Sequence, residues 1–248
     1  MPNLAFKIEY DGTNFLGWQI QSQGRTVQSV LEEAIRTILR TETRVTAAGR
    51  TDAGVHASGQ VVHFKTTLDV NINKLKKSLN GVLPPDLRIL DGMEVSQDFH
   101  ARFSALGRRY IYRIIRRPSA IHRHFAWHVT YPLDLEALRN SCKALIGQHD
   151  FTSFCQASSI TDGTNCEIRK LDWLEMGDEL RLQIEANRFL HHMVRTIVGT
   201  AVDIGRGHRS PEAMTDILSA KDRKIAGINA PPHGLCLESI LYSFEFDK

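Results

Sequence analysis

The residues best suited to chemistry lie between Gly49 and Phe64, in the run GRTDAGVHASGQVVHF. Asp52 stands in its tight part, Arg50-Thr51-Asp52-Ala53-Gly54. A carboxylate displayed on a loop between rigid strands can act as a nucleophile or a base. Arg50, two residues away, favours the charged form of such a group. The same spacing also suits a plain turn, because Asp followed shortly by Gly readily bonds its own backbone. A second feature begins at Phe99. From there to Leu133 the chain carries seven arginines and no Asp, Glu or Lys: Arg102, Arg108, Arg109, Arg113, Arg116, Arg117 and Arg123. Phe103, Tyr110, Tyr112, Phe125 and Trp127 interleave with them. Guanidinium groups fork onto phosphate oxygens, and aromatic rings stack on bases that have left a helix. The pattern therefore points to nucleic acid more than to a merely solvated face.

Other chemistries fit less well. The four cysteines, Cys142, Cys155, Cys166 and Cys236, form no C-x-x-C pair and read as buried thiols. His122 with His124, and His191 with His192, resemble ligand pairs, but no nearby Cys or carboxylate completes either set. No metal is expected. A two-metal nuclease needs clustered carboxylates, and the loop offers one. An RNA-recognition module without catalysis calls for an aromatic RNP1 run, and none is present.

These groups need a scaffold. The chain has 248 residues, 42% hydrophobic and 24% charged, with a net charge of +3. That is enough to bury a core without disulfides. The arginine segment alone exceeds the net charge, so the remainder is net negative. Lys7, Glu9 and Asp11 interrupt the start where a secretory leader needs an apolar run. No run approaches the roughly 18 apolar residues of a membrane span. The expected location is cytoplasmic, with no membrane partner.

Alternation predicts a strand over Leu4–Tyr10. Thr26 caps a helix with an apolar stripe at Val27, Val30, Leu31, Ala34, Ile35, Ile38 and Leu39. Thr43–Ala48 and Gly59–Thr66 read as strands, Ile72–Leu79 as a short basic helix, and Leu87–Val95 as a strand. The order β-α-β-β-α-β then returns. Arg108–Arg116 is a strand and Leu133–Ile146 a helix, with Asp134 in its first turn. Cys166–Glu175 and Glu179–Asn187 form a hairpin. Phe189–Ile204 and Pro211–Ser219 are helices, and Leu235–Phe246 closes as a strand. The expected class is α+β. Two ferredoxin-like halves, 1–104 and 105–248, carry antiparallel sheets flanking a central active-site cleft.

The chain resembles the tRNA pseudouridine synthases of the TruA family nearly end to end. The matching runs begin with YDGTNFLGWQIQ (Tyr10–Gln21), TVQSVLEEAI (Thr26–Ile35), the GRTDAGVHASGQVVHF loop and LNGVLPPDLRI (Leu79–Ile89). FHARFSALGRRYIYRI (Phe99–Ile114), GQHDFTSF (Gly147–Phe154), FLHHMVRTIVGT (Phe189–Thr200) and PPHGLCLESI (Pro231–Ile240) follow in order. The resemblance implies an isomerase that converts uridine to pseudouridine in the anticodon stem-loop of tRNA, typically at nucleotides 38, 39 and 40. Uracil is detached, turned over and rejoined through carbon, so the reaction keeps every atom and asks for no cofactor.

By the same resemblance Asp52 is the essential carboxylate. It either attacks ribose C1′ or removes a ribose proton to give a glycal. Tyr110 stacks on the base, and Arg195, at the rim of the FLHHMVR helix, pairs with Asp52. Arg50 enters the stem to hold the extruded base, an opening that costs a few kcal/mol. The Gly234-Leu235 turn supplies an apolar wall, with Leu235 and Leu237 both open as the facing residue. Strand alternation places Arg108 and Arg116 with Tyr110 and Tyr112, and so makes them the arginines expected to touch RNA backbone. Members of the family are homodimers with each tRNA spanning both subunits, which is the expectation here.

Overall fold

A computed structural model of the chain describes residues 1–156, 163–244 and 246. Their contacts gather into two compact units. One comprises Met1–Leu106 with Cys236–Lys248, and the other Gly107–Leu235.

In the first unit, β1 (Asn3–Tyr10) lies between β3 (His56–Lys65) and β4 (Leu87–Val95), antiparallel to both. The two-residue β2 (Thr46–Ala47) pairs antiparallel with the end of β3, and β10 (Leu235–Leu241) pairs parallel with its start, Cys236 opposite His56. Period-two alternation explains which side chains meet. Leu4, Phe6 and Ile8 face one way, with Val62 and Phe64 beside them; the Phe6 and Phe64 rings stack at 5.8 Å. Helices α1 (Val27–Leu39) and α2 (Ile72–Val82) supply Leu31, Ile35, Leu75 and Leu79 to the buried core. Thr26 caps α1 by accepting the Ser29 N–H, and Ser29 returns the bond to the Thr26 N–H, a reciprocal cap with serine in place of the usual Glu. The other sheet face is built small, from Ala5, Ala48, Val61 and Ala101, and is filled by Phe99, Tyr242, Phe244 and Phe246.

The second unit orders its main strands β5 (Gly107–Ile115), β9 (Glu179–Ala186), β8 (Asn165–Met176) and β7 (Gly147–Asp150), all antiparallel. A short β6 (Trp127–His128) runs parallel to β5. Helices α3 (Leu135–Cys142), α4 (Met193–Gly205) and α5 (Ala213–Ala220) complete it. Tyr112, Leu182 and Trp173 stand in cross-strand register and are fully buried, and the Trp173 indole donates to the Cys142 thiol sulfur at 3.4 Å. Burial pushes that thiol up to about 11, so it is inert packing.

Several expected boundaries move for identifiable reasons. The strand expected over Thr43–Ala48 contracts to Thr46–Ala47, while β3 starts at His56, so the loop around Asp52 is shorter than the sequence suggests. Asp134 is the cap of α3, accepting from Glu136 and Ala137, and that helix gives way to a 3-10 turn over Lys143–Leu145. Helix α4 begins four residues later than Phe189, because His192 is left-handed. The last strand ends at Leu241, and Glu245 within the expected Leu235–Phe246 run lies outside the described residues.

Candidate active site

The Asp52 loop is gripped from several directions within the first unit. The segment after β1 runs through a 3-10 turn at Gly12–Asn14, capped by Asp11. It returns to donate Trp18 N–H to Thr51 O at 3.0 Å and to accept Gly54 N–H at Phe15 O. Gly54 has a φ of +77°, the left-handed geometry that a side chain disfavours. Gly17, at φ +84°, approaches so closely that a methyl group there would sit 2.6 Å from Thr51 O. The Val55 N–H closes a turn onto Asp52 O at 3.1 Å. Behind this backbone, the Tyr10 and Thr51 hydroxyls bond at 2.8 Å, both buried. Burial raises the Tyr10 pKa, with the Thr51 bond opposing it, so the phenol stays protonated. Gln60 holds the other end, its amide accepting Gly49 N–H and donating to Gly49 O. Asp52 itself is half-buried on this fixed frame.

Arg50 is exposed and makes no hydrogen bond or ion pair among the described residues. It is therefore not a structural clamp on Asp52. Tyr10, Thr51 and Gln60 were not singled out by sequence. The signal was the closely spaced Gly12 and Gly17 after Tyr10, which mark a backbone that must approach another.

In the second unit Tyr110 is 7% exposed on β5, its ring edge-on to Phe189 at 5.1 Å. Tyr112, two residues on and on the same face, donates its hydroxyl to Pro231 O at 2.8 Å. Gly234 lies against that ring, and a methyl group there would meet the ring carbons at 2.6–2.7 Å. The Pro231–Leu235 turn is thus shaped by Tyr112. Leu235, the last residue of this unit, is 5% exposed; Leu237, already in the first unit, is fully buried opposite Ala57 of β3. Arg195, half-buried on the first turns of α4, donates through Nε to Ala230 O at 2.8 Å, and Ala230 N–H returns to Arg195 O.

The arginine segment is less bare than its sequence. Arg109 pairs with Glu185 at 2.8 Å, Arg113 with Glu179 at 3.7 Å, Arg116 with Glu175 at 2.7 Å and Arg117 with Asp178 at 2.6 Å. All four acids come from the β8–β9 hairpin, which β5 meets in register. Arg108 is buried and donates to Asn187 O at 2.9 Å. Alternation does place it on the Tyr110 and Tyr112 side, while Arg116 lies just beyond the strand's end.

A sequence profile for the family described as tRNA pseudouridine synthase matches residues 7–104 and 141–243. Both Asp52 and Arg195 fall inside those matched segments. The chain is 41% identical over 242 residues to tRNA pseudouridine synthase A of an Exiguobacterium species, covering 98% of each chain. It is 44% identical over 238 residues to tRNA pseudouridine synthase A of Halalkalibacterium halodurans, covering 95% of this chain and 90% of that one. Among solved structures, a Cbf5-Nop10-Gar1 complex overlaps 81% of this chain and 45% of its own at 13% identity and a TM-score of 0.37, too loose a likeness to bear on the assignment. Sequence kinship over nearly the whole length, with the carboxylate loop inside the matched region, is decisive: the chain belongs to the tRNA pseudouridine synthase family.

Proposed function

We propose that this isomerase converts uridine to pseudouridine in the anticodon stem-loop of tRNA, at nucleotides 38, 39 and 40. The observation that carries the reading is the family match together with one carboxylate, Asp52, on a loop whose backbone is fixed by Tyr10, Trp18 and Gln60. A group that must meet a ribose at a defined distance needs such a frame. Asp52 is the essential carboxylate and acts at the ribose, as nucleophile at C1′ or as base. Tyr110 lies against the uracil, and Arg195 orients the reacting groups. Arg50, exposed and uncommitted, is the side chain that enters the opened stem. Arg116 is a candidate phosphate contact, and so is Arg108 if it gives up the Asn187 carbonyl.

The reading includes two ferredoxin-like halves, 1–104 and 105–248. Their support is the antiparallel order β4-β1-β3-β2 in the first unit and, in the second half, the succession β5, α3, β8, β9, α4 and β10, into which β6, β7 and α5 are inserted. A homodimer in the cytoplasm, with tRNA spanning both subunits, belongs to the same proposal. No helix among the described residues is long and apolar enough to cross a membrane. The test is incubation of the purified protein with unmodified tRNA and mapping of pseudouridine. Product confined to nucleotides 38–40 supports the reading, whereas product elsewhere or none at all refutes it.

A further inference from the structure

The described residues include three non-glycine positions with positive φ: Arg40, His192 and Lys221. Arg40 and Lys221 end helices, where left-handed backbone is routine. His192 instead begins one. It occupies the N-cap of α4 at φ 66°, ψ −1°, and its side chain caps nothing. An N-cap ordinarily sits in the extended region, so this backbone carries a cost that something offsets.

Its ring is equally constrained. Arg223 Nη2 lies 3.1 Å from Asn229 Oδ1, and arginine only donates. The atom facing Arg223 is therefore the amide oxygen, which also accepts the Thr196 hydroxyl at 2.7 Å. The amide nitrogen must then face His192 Nδ1, 3.2 Å away, and donate to it. Nδ1 is an acceptor, so the imidazole is neutral and its proton is on Nε2. The backbone holds Asn229 in place, since Arg195 and Ala230 exchange two bonds and Gly199 packs directly under Ile228 O. The His191 ring lies against that of His192, centroids 3.9 Å apart and planes tilted by 39°.

We propose that His192 is a further substrate-binding residue, donating Nε2–H to an oxygen of the tRNA ribose–phosphate next to the nucleotide engaged by Arg195. Asn229 is a positioning residue that acts through His192 by setting its tautomer. This rests on the reading of Arg195 as an active-site group, three residues along the same helix.

The tautomer is measured by NMR on protein labelled with 15N-histidine. The expected result is Nε2–H in the wild type. Asn229→Asp keeps the acceptor for Thr196 and Arg223 but replaces the amide donor, which draws the proton to Nδ1. His192→Leu should lower kcat/KM on tRNA by about 10- to 100-fold. His192→Gln, whose amide N–H reaches to where Nε2–H stood, should recover most of it. Asn229→Asp should match the Leu variant in activity while retaining the wild-type melting temperature. A 2′-deoxy substitution in the nucleotide next to the target separates the two acceptors: the Leu penalty disappears if that ribose hydroxyl accepts and persists if phosphate does. Nδ1–H in the wild type, full activity in His192→Leu, or Gln no better than Leu would each overturn the proposal. An inactive wild type would instead count against the functional reading and leave the tautomer measurement standing.

Discussion

Tyr10 and Thr51 join hydroxyls at 2.8 Å beneath the loop that displays Asp52. The bond ties the last residue of a central strand to the residue preceding the carboxylate, so the strand's rigidity reaches the loop. Removing one partner strands the other in a dry site. Tyr10→Phe should cost about 1–2 kcal/mol, read as a lower urea midpoint with an unchanged m-value. Thr51→Val made on top of it should cost less than it does alone, because the orphaned hydroxyl is gone. Strictly additive losses would show that the bond contributes no coupling.

Asp52→Asn should bind tRNA with near wild-type affinity and form no pseudouridine. The amide has the shape of the carboxylate but cannot attack carbon or accept a proton at this site. Filter binding and product mapping on the same preparation check both halves. Normal turnover by the mutant would remove Asp52 from the mechanism.

The arginine pairs bear on salt dependence. Each phosphate neutralised steepens log affinity against log salt by about 0.7–0.9. Arg116 can exchange the half-exposed Glu175 for phosphate, whereas Arg108 would have to abandon a buried carbonyl. Replacing both by Gln should therefore flatten the slope by about 1 rather than 2. Arg109 and Arg113, paired on the opposite face, should give no change when replaced together. A control that flattens more than the Arg108/Arg116 variant would reverse the assignment of faces.

His63 makes stability depend on pH. It is buried, and its Nδ1 accepts the Ala101 N–H at 3.1 Å. Burial first, and the neighbouring His100 second, bring its pKa down to about 4 from an ordinary 6.5. Between those values the unfolded chain binds a proton that the folded one refuses. The stabilisation is complete above pH 6.5 and is lost as pH falls towards 4, by roughly 3 kcal/mol at most. His63→Asn, which keeps an acceptor for Ala101, should flatten the denaturation profile across that window. An equally steep profile in the mutant would assign the effect to other groups.

The sequence by itself determined the family and the element types. The eight ordered runs identify the chemistry, alternation reveals β1 and β4, and the 3.6-residue stripe reveals α1, because each signal is local and repeats along the chain. It also isolated Asp52 as the carboxylate of its loop. Tertiary structure decided what those residues are attached to. Nothing in RTDAG says that Tyr10 or Gln60 lies behind it, since partners 41 and 11 residues away are chosen by strand pairing. Nor does the count of seven arginines reveal four paired acids, which arrive only when β9 and β8 come into register beside β5. The left-handed backbone at His192 shortens a helix that periodicity alone would extend, and the partner of its ring, Asn229, lies 37 residues away. Pattern is a property of neighbours in sequence; protonation state, pairing and strain are properties of neighbours in space.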